Sequence, residues 1–184
     1  MKTPDGKEIT DQLLCERFPL LFGDRHADMR TTAMCWGFEV GPGWMGIIYN
    51  VASQLDPLID RWISEHPNLN KFPSWIFSRY NMRIFWQWRC YSFLAVWSWL
   101  LVELRLRTPE PFWPRASQIK EKYGALRFYM TGETDEMFAI INKAEEQSSV
   151  TCENCGKKGK LRGRGWLYTR CAPCWKKEQK NALA

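Results

Sequence analysis

Four cysteines in the pattern Cys152-x2-Cys155-x15-Cys171-x2-Cys174 constrain this chain more than any other feature. Two C-x-x-C pairs at this separation have the spacing of a structural zinc site. Each pair folds back to present two thiolates, and the residues between the pairs form a small hairpin that brings them face to face. Two disulfides are the competing reading. Four thiolates leave no open coordination position, so the expected role is one structural Zn2+ ion that holds the fold, not a Lewis acid.

The charge map points to the same module. Residues 151–184 carry nine Lys and Arg against two Glu, a net charge of +7, whereas the whole chain nets +6. All of the excess basicity therefore lies here. Lys157, Lys158, Lys160, Arg162 and Arg164 fall between the cysteine pairs, and Arg170, Lys176, Lys177 and Lys180 flank the second pair. Trp166, Tyr168 and Trp175 are interleaved with them. Cations and flat rings on a small rigid module suit phosphate contact with base stacking. The alternatives are an acidic protein surface, or a solvated ribbon whose rings cover a small core.

A chain of 184 residues accommodates one domain with an appendage. We divide it into a helical core with a β-hairpin over residues 1–150 and a basic four-cysteine zinc ribbon over 151–184. Met1 to Thr10 is polar and lacks the apolar stretch of a secretory signal. Seven cysteines, three of them (Cys15, Cys35, Cys90) at irregular spacing, fit a reducing cytosol. Those three read as small buried hydrophobes.

Eleven tryptophans are unusual, and six of them lie between residues 72 and 115 among six arginines. The uncharged run from Cys90 to Val102 is 13 residues. A membrane-spanning helix needs roughly 20, so this stretch is expected to be buried in a core or covered by a partner, including a second copy of the chain.

The local pattern gives the elements. Thr10 or Asp11 caps a short helix that Pro19 stops. Gly41-Pro42-Gly43 launches a helix with Trp44, Ile47, Ile48, Val51, Leu55, Leu58, Ile59, Trp62 and Ile63 on one stripe, and Pro57 kinks or restarts it. Residues 81–107 read as a long aromatic helix, and Pro109, Pro111 and Pro114 break the chain. Gln118–Met130 reads as a hairpin turning at Gly124-Ala125. Thr134 or Asp135 caps a last helix with Met137, Phe138, Ile141 and Ala144 inside. The class is α+β, mainly helical.

Several segments are similar to one known group. They are Phe18-Pro19-Leu20-Leu21-Phe22-Gly23-Asp24-Arg25-His26, Met34-Cys35-Trp36-Gly37-Phe38-Glu39, Gly43-Trp44, the run from Lys120 to Tyr129, and Ala144-Glu145 leading into the cysteine module with Gly165-Trp166 inside it. As a set they resemble a family of small uncharacterised proteins of tailed phages and prophages, over residues 12–65 and 116–176. The resemblance implies a phage accessory protein in the bacterial host cytosol and supplies no reaction. Relatives tend to have Cys-Gly-Asp-Gly-Trp where this chain has Val40-Gly41-Pro42-Gly43-Trp44, so an acidic loop residue is absent. The Trp- and Arg-rich stretch 67–115 resembles an elaboration of a variable region.

Catalytic candidates are few. His26 and His66 are the only histidines, and neither is near the cysteines in sequence. Asp24, His26, Asp28 and Glu39 could form an acid–base or second metal cluster in one loop, against a plain hydrogen-bonded loop. Cys35 with His26 is a thin nucleophilic pair. Gly41, Gly43 and Gly46 precede a helix, but Pro42 removes an amide that an anion would need. We therefore expect a non-catalytic accessory protein that binds nucleic acid or nucleic-acid machinery through Lys157, Lys158, Lys160, Arg162, Arg164, Trp166, Arg170, Lys176 and Lys177. The second reading is an inhibitor of a host protein or defence complex. An enzyme built on the Asp24–Glu39 loop comes last.

Overall fold

Thr10 begins the first helix, α1 (Asp11–Arg17), by accepting the Leu13 amide on its side-chain oxygen at 3.2 Å. Leu14 and Phe18 point inward from it and are buried with Leu21 and Phe22. The structure, a computed structural model, describes residues 3–30, 32–66 and 113–182. Contacts divide the chain into two units, Met1–Arg61 with Pro114–Ala184, and Trp62–Trp113. The expected Trp- and Arg-rich helix and Cys90 lie outside the described residues.

Two short 3-10 turns, Gly23–His26 and Met34–Trp36, follow α1 and lead into strand β1 (Phe38–Glu39). Another, Pro42–Trp44, opens α2 (Met45–Glu65). Of the expected stripe, Trp44, Ile47, Ile48, Val51, Leu55 and Ile59 are buried, with Ala52 beside them, whereas Leu58, Trp62 and Ile63 are half-buried. Fully burying a side chain of this kind contributes about 1.5–3 kcal/mol, which is what holds an amphipathic helix in place. Pro57 does not restart the helix. It sits on the exposed side of one continuous helix, where the Ser53 carbonyl that it cannot serve also belongs to an exposed residue. Of the second unit, residues 62–66 and 113 are described; the Trp62 and His66 rings stack with centroids 4.2 Å apart, and His66 Nδ1 lies 2.8 Å from the Trp62 carbonyl oxygen.

Strands β2 (Arg115–Lys122) and β3 (Ala125–Thr131) form the expected hairpin. Ile119 pairs with Phe128 on the inner face. The parallel strand β1 joins the other edge of β2, giving the order β1-β2-β3, a short pairing that the sequence did not suggest. The turn also differs from expectation. Lys122 pairs with Ala125, so the two turn residues are Tyr123 and Gly124, at φ of 55° and 79°. Positive φ at both positions matches the right-handed strand twist. Gly124 tolerates it freely; Tyr123 does so at a cost of about 1–2 kcal/mol.

Thr134 caps α3 (Asp135–Ser149). Met137, Ile141 and Ala144 are buried as expected, but Phe138 is exposed, because it lies one residue beyond the packed stripe. The helix lies along β3. Ser148 Oγ accepts the Leu126 amide at 2.8 Å, and Glu145 takes the Phe128 amide and Arg127. Then come β4 (Lys160–Arg162), β5 (Tyr168–Arg170) and α4 (Ala172–Ala182). This last helix was not anticipated. The architecture is α+β, and no described helix is long and apolar enough to cross a membrane.

Candidate metal centre and the surface around it

The turn after Cys152 is built by its own backbone. The Gly156 amide returns to the Cys152 carbonyl at 2.8 Å, and the Cys152 amide reaches the Lys157 carbonyl at 2.7 Å. Gly156 takes φ of 71°, which lets the chain fold back so that Cys152 and Cys155 face the same way. The β4–β5 hairpin then delivers Cys171 to the start of α4, whose first turn carries Cys174. The Trp175 amide donates to the Cys171 carbonyl at 3.0 Å. Pro173 costs nothing there, since first-turn amides lack helical partners.

All four sulfur atoms lie within 4.8 Å of one another, and Cys155 and Cys171 Sγ are 3.5 Å apart. A tetrahedral ion with metal–sulfur bonds of about 2.3 Å needs sulfurs about 3.8 Å apart. The four cysteines could therefore hold a metal ion, and they form the one such group among the described residues. Cys152 and Cys171 are buried, Cys174 is half-buried and Cys155 is exposed. Burial works to raise the Cys152 thiol, but the amides of Cys171, Cys155 and Asn154 outweigh it and hold it down to about 7. A hydrogen bond to Cys171, then burial, pushes Cys174 up to about 12, and burial raises Cys155. A dication held by the four sulfurs would bind them as thiolates.

The module is hydrogen-bonded to the start of α2. Its first turn is seated on Gly41-Pro42-Gly43-Trp44. The Gly43 amide donates to the Glu153 carbonyl at 2.6 Å, the Gly41 amide to Glu153 Oε1 at 3.0 Å, and Trp44 Nε1 to the Thr151 carbonyl at 2.7 Å. A Cβ on Gly43 would overlap the Cys152 carbonyl oxygen and lie 2.5 Å from the Gly156 nitrogen. Gly43 is thus required by close approach. Of the amides considered for an anion, those of Gly41 and Gly43 serve Glu153 instead. The second contact is at the hairpin: Thr169 Oγ1 donates to the Gly124 carbonyl at 2.6 Å. The residues on both sides of 150/151 belong to one contact unit.

Charge sorts cleanly. Arg170, expected on the binding surface, is instead 7% exposed. Its guanidinium is held by Glu153 at 2.5 Å and Glu178 at 3.2 Å, and stacks on Tyr168 at 5.1 Å. Burial alone would make Arg170 easier to deprotonate; the two carboxylates reverse this. Arg162 is half-buried, its Nε on the Arg170 carbonyl at 3.0 Å. Lys157, Lys158, Lys160, Arg164, Lys176 and Lys177 are all exposed, and Trp166 is 78% exposed at the tip of the hairpin. Both acidic side chains of residues 151–182 are turned onto one buried arginine, which leaves the outer face of the module cationic.

Among the described residues, Asp24, His26, Asp28 and Glu39 are not grouped as a metal cluster. Asp24 is buried and pairs with Arg115 at 2.8 Å, bracing the 3-10 turn against β2. His26 and Asp28 are exposed, and Asp28 caps the Arg30 amide. Glu39 accepts from Gln118. An open groove of about 700 Å³ touches His26, but its charged pair, Asp11 and Arg25, is joined in a bidentate contact, and Arg25 also reaches the Cys35 carbonyl. Cys15 and Cys35 are half-buried, less enclosed than expected.

Sequence reasoning missed the seat at Gly41–Trp44 and the clamp on Arg170. The signal for the second was visible: two lone acids in a strongly basic module are candidates for internal pairing. Comparisons with protein-family models, with curated proteins and with solved structures found no match.

Proposed function

We propose that this chain is a non-catalytic protein that uses one structural zinc ion, held by Cys152, Cys155, Cys171 and Cys174, to present a cationic, aromatic face to nucleic acid. Sulfur-only donors favour zinc among the common cellular dications. The observation that carries the binding reading is the sorting of charge around Arg170. Both acids of the module are engaged by the buried Arg170, Glu153 enclosed and Glu178 half-exposed, while Lys157, Lys158, Lys160, Arg164 and Trp166 stay in solvent. Exposed cations neutralise phosphates, and an unstacked indole offers a platform for a base. The resemblance to phage and prophage proteins supports a place in the cytosol of an infected bacterium.

The test is fluorescence anisotropy of the zinc-loaded protein with short single- and double-stranded DNA and RNA over a range of salt. Binding that weakens steeply with salt is expected. Absence of binding at low salt would turn the same surface over to an acidic protein target, such as a host defence component.

A further inference from the structure

The β2–β3 turn carries a feature that packing does not require. Tyr123 is 71% exposed and sits at φ of 55°, a conformation that bulky residues avoid and that Asn or Gly adopts readily. No core contact is gained by placing a ring there. An outlier of this kind at an exposed tip is a reason to look for a ligand.

Its surroundings supply one. Lys122 Nζ lies 5.5 Å from the Tyr123 ring centroid, and Lys120 Nζ lies 5.5 Å from that of Tyr129, itself 40% exposed on the outer face of the hairpin. The neighbouring carboxylate, Glu121, is turned inward to the Gly124 amide at 2.5 Å. The turn also abuts the cysteine module: Gly124 packs against the Leu161 side chain and the backbone of Leu167 and Tyr168. Leu167 is next in the chain to Trp166. Two turns, each with an exposed ring and lysines or arginine beside it, are thus neighbours on one unit.

We infer that the β2–β3 turn, through Tyr123, Lys122, Lys120 and Tyr129, is a second half of the nucleic-acid surface, and that its ligand is single-stranded. The inference rests on the nucleic-acid reading above. Rings that protrude from turns can stack only on bases whose faces are open, and a duplex hides them. The lysines beside the rings take the phosphates that run between successive bases.

The experiment uses the full zinc-loaded chain with fluorescein-labelled oligothymidylate and oligouridylate, and the matching duplexes as competitors. Tyr123→Asn keeps the turn and removes the ring; it is expected to weaken single-strand binding roughly tenfold, the scale of one lost stack. Tyr123→Phe is expected to bind like the parent. Lys120→Ala with Lys122→Ala is expected to lower the slope of log affinity against log salt by about 1.4, at about 0.7 for each phosphate contact. If the parent binds, and Lys157→Ala/Lys158→Ala/Arg164→Ala weakens it while the Tyr123 and Lys120/Lys122 variants do not, this inference is overturned and the broader reading stands. If the parent binds neither strand, both fall. A thermal melt of Tyr123→Asn at or above the parent separates lost stacking from lost folding.

Discussion

The Gly43 amide donates to the Glu153 carbonyl at 2.6 Å, so the loop that launches α2 and the first cysteine turn share a hydrogen bond across more than a hundred residues of sequence. Seen from the core, the cysteine module closes over Trp44. Seen from the module, the glycine pair is the surface on which the first cysteine turn is set. An ion held by the four cysteines would therefore be coupled to the stability of the core.

Gly43→Ala tests that seat. The added methyl has no room against the Cys152 carbonyl and the Gly156 nitrogen. A loss of about 3 kcal/mol is expected, as for overpacking against rigid backbone. Urea denaturation, with metal content measured alongside, reads both effects. A variant as stable as the parent and equally loaded would mean that the two segments are not in contact.

Arg170→Met leaves Glu153 buried without its partner and is expected to destabilise the protein by about 3–5 kcal/mol. Lys157→Ala or Lys177→Ala, on exposed cations, should change stability by less than about 0.5 kcal/mol. If Arg170→Met melts like the parent, the residue belongs with the exposed cations after all.

How much of this was legible in the sequence depends on the range of the interaction. The α1 cap, the α2 stripe and the α3 face are written in residues three and four apart, and they were readable. The four cysteines carry their own spacing. The turn lies at Tyr123-Gly124, one position before the expected Gly124-Ala125, because a tyrosine at positive φ carries no sequence signal whereas a glycine does. Contacts between Gly43 and Glu153, or Asp24 and Arg115, leave no local pattern. A glycine needed for close approach looks like a glycine needed for a turn, and a buried carboxylate looks like a catalytic one.

Tyr123→Asn should raise stability by about 0.5–1 kcal/mol, because Asn-Gly is the favoured pair for a turn with positive φ at both positions. Thermal melting shows it directly. A lower melting temperature would mean that the ring has a structural role.

Cys15 should resist alkylation. Burial first, then the nearby Asp11 carboxylate, pushes its thiol from 9.0 up to about 12. At pH 8 its thiolate population falls roughly a thousandfold below that of a free thiol, and peptide mapping after brief iodoacetamide treatment should find Cys15 unmodified. Because the folded state binds this proton more tightly than the unfolded chain, its contribution to stability is full below pH 9 and is lost as pH rises towards 12. Rapid labelling of Cys15 in the folded protein at pH 8 would contradict the assignment.

Native mass spectrometry of the purified chain, with and without a strong chelator and followed by thermal melting of each sample, tests the central claim most directly. The account predicts one zinc ion per chain, its loss on chelation, and a large fall in the melting temperature of the unit that includes α2 and Trp44. It also predicts that Cys155→Ser fails to retain the ion. A metal-free chain with an unchanged melt, or a mass lower by about 4 Da as two disulfides would give, would contradict it.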